Sequence, residues 1–254
     1  MDMVFYSEFL NRNINKSHRM ITCCYFLAMD FSTNPSFRET EIMAQNNAAS
    51  QLVLKGTTTI GVVCKDGVIL ASDTRVTMGF YVAHKHGKKV YQIDDHLAMT
   101  IAGSVADAQR AVDILTANAR LYRVNLGRPL PVNSAARFLA NLLFSARYVP
   151  LLAQVLVGGV DDTGPHVFSI DPFGSLTEEK YVSTGSGSPV AYGILEDKFR
   201  EGATLKEMLP VIAKAVNASM KRDAASGDSF NVAVIDEKGY RDLTDKEKKQ
   251  LLAD

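Results

Sequence analysis

The chain has 254 residues, of which 46% are apolar and 22% charged, and its 28 basic side chains are balanced by 28 acidic ones. This composition argues against a disordered chain, and zero net charge argues against a general nucleic-acid binder, which needs a dense basic surface for phosphates. The length allows one large domain or two small ones with a sizeable core.

Residues 1–56 mix Asn, Ser, Arg and scattered aromatics without a sustained period of 2 or 3.6. Within them, Ala44–Ser50 is small and polar like a linker. This stretch is expected to be an N-terminal appendage. Met43 offers an alternative start, which would make 1–42 a mis-assigned beginning. Ile21–Met29 is the longest apolar run, too short to cross a bilayer. Asp30 follows it without a small-residue cleavage site, which speaks against a signal peptide. The cysteines are Cys23, Cys24 and Cys64. So sparse and odd a set is no disulfide framework and points to a reducing, cytoplasmic compartment. No C-x-x-C pair is present, so the common zinc and redox motifs are absent.

From Thr57 onward the pattern is regular. Thr58–Cys64 and Val68–Thr74 are β-branched runs around Asp66-Gly67, a strong hairpin signal. Lys89–Ile93 and Leu97–Ala102 form a second pair, turning at Asp94-Asp95. Val105, Ala108, Val112, Leu115, Ala119 and Tyr122 then step by three and four along one helical face. Ser104 suits its N-cap and Asp107 its first turn, and Gly127, Pro129 and Pro131 end it. A second helix is expected from Asn133 to about Arg147. Strands are expected at Leu151–Val160, His166–Ile170 and Leu176–Ser183. Helices follow at Pro189–Arg200 and Leu205–Arg222, then a strand at Phe230–Ile235 with a turn at Glu237-Lys238-Gly239. Asp245–Lys249 is expected to be a solvated terminal helix or tail. Hairpins followed by paired helices imply antiparallel sheets covered by helical layers, an α+β fold.

Lys55-Gly56-Thr57-Thr58-Thr59 is either a Thr-rich strand start or a cleavage point. A cut between Gly56 and Thr57 would give Thr57 both a hydroxyl and a free amine, a nucleophile and its own base in one residue. An α-amine has a pKa of about 7.7–8.0, close to the working pH. A nearby ammonium would lower it further, since two positive charges about 4 Å apart repel by up to ~4 kcal/mol at an effective dielectric of ~20. A carboxylate would hold that ammonium in place. Asp73 and Lys89 meet this need. Taken alone, Asp73 reads as a strand-end cap, and Lys89 as part of a solvated basic cluster with Lys85 and Lys88.

Taken together, Thr57-Thr58-Thr59-Ile60-Gly61-Val62, Ala71-Ser72-Asp73-Thr74-Arg75, Lys88-Lys89-Val90, Ile101-Ala102-Gly103-Ser104, Thr184-Gly185-Ser186-Gly187-Ser188 and Arg222-Asp223-Ala224-Ala225-Ser226-Gly227 resemble the proteasome β-subunit, archaeal type, over essentially all of 57–254. The resemblance implies the N-terminal-nucleophile hydrolase fold, a four-layer αββα sandwich of two antiparallel sheets. It implies Thr57 as nucleophile and, after maturation, base. Lys89 would tune the amine and hydroxyl, and Asp73 would hold Lys89. Gly103 would supply an oxyanion-hole N–H. Ser186, Asp223 and Ser226 would surround the amine and its water. Val76, Thr77, Ile101 and Val105 would line the substrate pocket, an apolar lining that favours an apolar or aromatic side chain before the cut.

Residues 1–56 would be a propeptide, removed when Thr57 attacks the Gly56 carbonyl. The implied partners are α-subunits and other β-subunits in stacked heptameric rings, an ATP-dependent unfoldase and unfolded protein substrates. No nucleic acid, membrane, metal or organic cofactor is implied. The alternatives are a bacterial two-ring relative with the same chemistry, an inactive structural ring subunit and a peptide-binding module. Gly185-Ser186-Gly187-Ser188-Pro189 lacks the phosphate-loop patterns. His84 and His86 lack a third ligand and read as a polar loop between strands. Cys64 reads as a small buried hydrophobe.

Overall fold

The computed structural model describes residues 56–253. The expectations for 1–55, including Ile21–Met29, Cys23, Cys24 and Met43, lie outside the described residues.

The Asp66-Gly67 turn joins β1 (Thr59–Cys64) to β2 (Gly67–Asp73), antiparallel with Thr59 opposite Ser72 and Cys64 opposite Gly67. The strand β2 is buried throughout because it is central, flanked by β1 and by β11 (Phe230–Asp236). Its Val68 and Leu70 face the second sheet, while Ile69 and Ala71 face helices. Burial on both faces explains why it reads as an unbroken apolar run rather than an alternating one.

Ten strands form two five-stranded sheets. The first has the order β10 (Tyr181–Thr184), β1, β2, β11, β12 (Gly239–Asp242). The second has the order β5 (Val90–Asp94), β6 (Leu97–Gly103), β7 (Ala153–Asp161), β8 (Gly164–Ile170), β9 (Leu176–Glu178). Every pairing is antiparallel. Helices α1 (Val105–Leu126) and α2 (Val132–Ser145) cover the second sheet, through Leu115 and Leu139 against Val155 and Val157. Helices α3 (Ser188–Lys198) and α4 (Leu205–Arg222) cover the first, through Leu195 and Ile212 against Ile60 and Ile69. A third core of Val68, Leu70, Leu156 and Val167 lies between the sheets. The layers therefore run helix, sheet, sheet, helix, as the family resemblance implies. The terminal helix α5 (Asp245–Ala253) packs Leu251 against the α3–α4 side.

The structure differs from the expected elements at several points. Leu176–Ser183 is two strands, not one. The backbone pairs with β8 up to Glu179, whose N–H donates to Val167 O. At Lys180, whose carbonyl accepts from Val63 N–H, it crosses to β1 on the other sheet. A separate hairpin, β3 (Val76–Met78) and β4 (Tyr81–His84), occupies a stretch with no regular apolar alternation. The turn at 237–239 opens a short strand, β12. Helix α2 ends at Ser145, two residues before the expected Arg147. Ser104 precedes α1 without a side-chain cap bond; the first-turn Asp107 instead accepts from Leu152 N–H at 3.1 Å, tying the helix start to β7.

Candidate active site

The register of the first hairpin builds half of the site. Thr59 opposite Ser72 puts Thr58 beside Asp73. Asp73 N–H donates to Thr58 O at 3.1 Å, and Thr58 N–H donates to Asp73 Oδ1 at 2.9 Å. Thr57 therefore stands one residue from a fixed carboxylate. The other half comes from the second sheet. Lys89 precedes β5, and its carbonyl accepts from Ile101 N–H of β6 at 3.1 Å. Its side chain reaches across to the first sheet. Lys89 Nζ donates to Asp73 Oδ1 at 2.8 Å and to Thr57 Oγ1 at 3.1 Å.

Asp73 is fully buried and Lys89 only 7% exposed. A buried carboxylate needs hydrogen-bond partners or a paired charge. The remaining oxygen of Asp73 accepts from Arg75 N–H at 3.0 Å and Gly227 N–H at 3.1 Å. Burial pulls the Lys89 ammonium below the ordinary lysine range, and the Asp73 charge and hydrogen bond oppose this only in part. The group that touches the Thr57 hydroxyl thus gives up its proton more readily than a surface lysine.

A second network surrounds the backbone of Thr57. Asp223, just past α4, accepts on Oδ2 from Ser186 Oγ at 2.5 Å and from Ser226 Oγ at 2.6 Å. Ser186 Oγ in turn accepts from Thr57 N–H at 3.2 Å. With the Ser226 proton committed to Asp223, the 2.8 Å contact between Thr58 Oγ1 and Ser226 Oγ has Thr58 as donor. The loop after β10 closes from the other side, Gly187 N–H donating to Thr57 O at 3.3 Å.

The Gly56–Thr57 peptide is held so that the Thr57 hydroxyl donates to Gly56 O at 2.7 Å, while Gly56 N–H donates to Thr77 Oγ1 at 3.3 Å. A Cβ on Gly56 would fall 1.7 Å from the Ala225 Cβ, so no other residue fits without displacing the 223–226 loop.

Beside Thr57 opens a cavity of about 790 Å³. Val76, Thr77, Ile101 and Val105 all line it, together with Gly103, Tyr91 and Gln109. Gly103 ends β6 with φ +131°, and a Cβ there would lie 2.2 Å from Leu152 O. Only glycine suits this position. The structure thus brings Gly56, Thr57, Asp73, Lys89, Gly103, Ser186, Asp223 and Ser226 to one place. Cys64 is buried on β1, its thiol pushed up to about 12 chiefly by desolvation.

The sequence carried no mark for Asp228 or for the work of Arg75. Arg75 Nε donates to Asp228 at 2.8 Å and its Nη1 to Ala224 O at 2.8 Å. Together with the Gly227–Asp73 bond, this ties the 224–228 turn to the end of β2. Asp228 has φ +65°, uncommon for a residue other than glycine, and the turn is held there by this clamp. The one available hint was Arg75 two residues after Asp73.

The proteasome subunit family model matches residues 53–235. A proteasome subunit beta of Methanosarcina barkeri is 48% identical over 201 residues, covering 79% of this chain and 95% of that protein. One of Ferroglobus placidus is 47% identical over 201 residues, covering 79% and 96%. Proteasome subunit beta 2 of Nitrosopumilus maritimus is 43% identical over 207 residues, covering 82% and 99%. With the four-layer sandwich and the Thr57 site already described, these matches establish that the chain belongs to the proteasome subunit family, as a β-subunit.

Proposed function

We propose that the chain is a threonine endopeptidase of a 20S-type core particle, made as a precursor that cuts itself between Gly56 and Thr57. The observation that carries this reading is the placement of one buried ammonium, Lys89 Nζ, within hydrogen-bond reach of both Asp73 and the Thr57 hydroxyl. An inert ring subunit would have no need to desolvate a lysine at that spot.

In the first turnover Thr57 Oγ adds to the Gly56 carbonyl carbon and the peptide C–N bond breaks. The nitrogen of Thr57 takes a proton and becomes an amine, and the resulting ester is opened by water. Residues 1–56 leave with the new carboxylate. In later turnovers the amine takes the proton of Thr57 Oγ as the oxygen attacks a substrate carbonyl, and returns it to the departing amine. Gly103 N–H faces the oxyanion. Ser186 Oγ, already 3.2 Å from the Thr57 nitrogen, holds that amine in place. Water then cleaves the acyl ester and restores the hydroxyl. The apolar part of the cavity, at Val76, Ile101 and Val105, takes the side chain before the cut, and backbone pairing along Thr77 and Gly103 accepts many sequences.

Assembly with α-subunits into stacked heptameric rings, and feeding of unfolded protein by an ATP-dependent unfoldase in the cytoplasm, belong to the same proposal. Co-expression with α-subunits followed by intact mass measurement tests it. The wild-type particle should contain a species beginning at Thr57, and Thr57→Ala should retain the leader and cleave no peptide. Full processing of Thr57→Ala would refute self-cutting.

A further inference from the structure

The cavity beside Thr57 is lined by six basic side chains, Arg75, His84, Lys85, His86, Lys88 and Lys89, and by no carboxylate among the described residues. Two of the six are engaged, Arg75 with Asp228 and Lys89 with Asp73. The other four lie on the stretch from the end of β4 toward β5 and are exposed to solvent. Neither Lys85 nor Lys88 enters an ion pair among the described residues. Lys88 Nζ sits 5.7 Å from the ring centre of Tyr91, itself a cavity residue. Asp228, whose carboxyl feels the charges of Lys85 and His86, is already committed to Arg75. The cavity therefore has an apolar part at Val76, Ile101 and Val105 and a cationic wall with charge to spare.

We propose that this wall makes the site prefer peptides carrying a Glu or Asp side chain within a few residues of the apolar residue at the cut, with Lys85 and Lys88 as the groups that read it. The inference rests on the threonine-protease reading. An extended peptide rises ~3.3 Å per residue and sends alternate side chains to opposite sides, so one flanking side chain turns to the wall while another enters the apolar part. Exposed ion pairs of this kind are modest, and each lysine is expected to contribute a factor of about 2–5. Because the charge is felt equally before and during bond cleavage, the effect belongs in KM rather than kcat.

The test uses the assembled, processed particle and peptides that share one apolar residue at the cut. Glu, Gln or Lys is placed in turn two, three or four residues before it. At low salt, kcat/KM should follow Glu above Gln above Lys at one position or more, with Glu over Gln by about 3–10-fold. In ~1 M salt, where the Debye length shrinks to about 3 Å, the ratio should fall toward one. Lys85→Gln should reduce the Glu/Gln ratio, and Lys85→Gln with Lys88→Gln should bring it close to one. The single variant leaves the neighbour of Lys89 untouched. Equal rates for Glu and Gln peptides, or a ratio that survives both substitutions, would overturn the inference while leaving the protease reading intact. Failure to cleave any of the peptides would sink the protease reading, and this one with it.

Discussion

Asp73 ends β2 of the first sheet and Lys89 stands just before β5 of the second, yet Lys89 Nζ is 2.8 Å from Asp73 Oδ1. The ion pair is therefore a tie across the open end of the sandwich as well as a part of the site. Removing one partner leaves a buried charge alone, at a cost of about 3–5 kcal/mol. Lys89→Ala should lower stability by roughly this amount and abolish peptide turnover. Asp73→Asn is the sharper probe, because its amide cannot accept on both sides from the four donors that now surround it. Turnover should drop by about 10²–10⁴-fold, the range for a lost acid–base partner. Peptide hydrolysis by the assembled particle checks both, and near-normal rates in either variant would remove the pair from the mechanism.

If the chain is processed as proposed, the step depends on the space around Gly56. The Cβ of a Gly56→Ala chain would meet Ala225 Cβ at 1.7 Å and Ser186 Oγ at 2.8 Å. Relief requires the 223–226 loop to move, and that loop carries two of the hydroxyl and carboxylate groups around Thr57. Gly56→Ala should slow leader removal by at least tenfold, followed by mass spectrometry over time. Combining it with Ala225→Gly removes the worst clash and should restore part of the rate. A leader lost equally fast in Gly56→Ala would mean that the bond is cut in some other arrangement of this loop.

The sheets and their helical layers were legible because each depends on local pattern: β-branched runs around Asp66-Gly67, and apolar steps of three and four from Val105 to Tyr122. The candidate site was readable only from its motifs taken together, through their resemblance to the proteasome β-subunit, because Asp73 alone reads as a strand-end cap and Lys89 alone as one of a basic cluster with Lys85 and Lys88. What escaped was non-local. The switch of sheets at Glu179-Lys180 leaves no compositional trace, since both halves of Leu176–Thr184 have strand character. The β3–β4 hairpin presents Met78, Phe80 and Tyr81 to solvent, so its apolar residues do not alternate as in a half-buried strand. Arg75 and Asp228 are 153 residues apart, and only folding puts them together.

That second clamp has its own pH dependence. The Arg75 hydrogen bond and charge hold the Asp228 carboxyl below its ordinary value of 3.8. A carboxylate with a depressed folded-state pKa stabilises the fold above its unfolded value, and the contribution is lost as pH falls through the folded value. Asp228→Asn should therefore melt below wild type at neutral pH. The gap should be unchanged down to about pH 4 and close below it. Paired melting curves from pH 7 to 3 would show this, and a gap independent of pH would mean that Asp228 acts through shape, not charge. Turnover should fall in the same variant, because Ser226 lies on the turn that loses its tether and Asp223 adjoins it.

Thiol chemistry gives a last test of the proposed removal of residues 1–56. Of the cysteines at 23, 24 and 64, only Cys64 lies beyond residue 56. Its thiol is buried and pushed up to about 12, so at pH 8 very little of it is the reactive thiolate. A particle whose chains begin at Thr57 should therefore show no fast-reacting thiol with a disulfide reagent, and alkylation should leave peptide cleavage intact. The Thr57→Ala particle, still carrying the leader, keeps Cys23 and Cys24 and should differ by up to two thiols per chain once denatured. Denaturation should release a single thiol per mature chain. Rapid labelling of the native mature particle would mean that β1 opens near Cys64 far more often than its burial allows. Inhibition accompanying that labelling would place the opening close enough to the Thr57 end of the same strand to disturb catalysis.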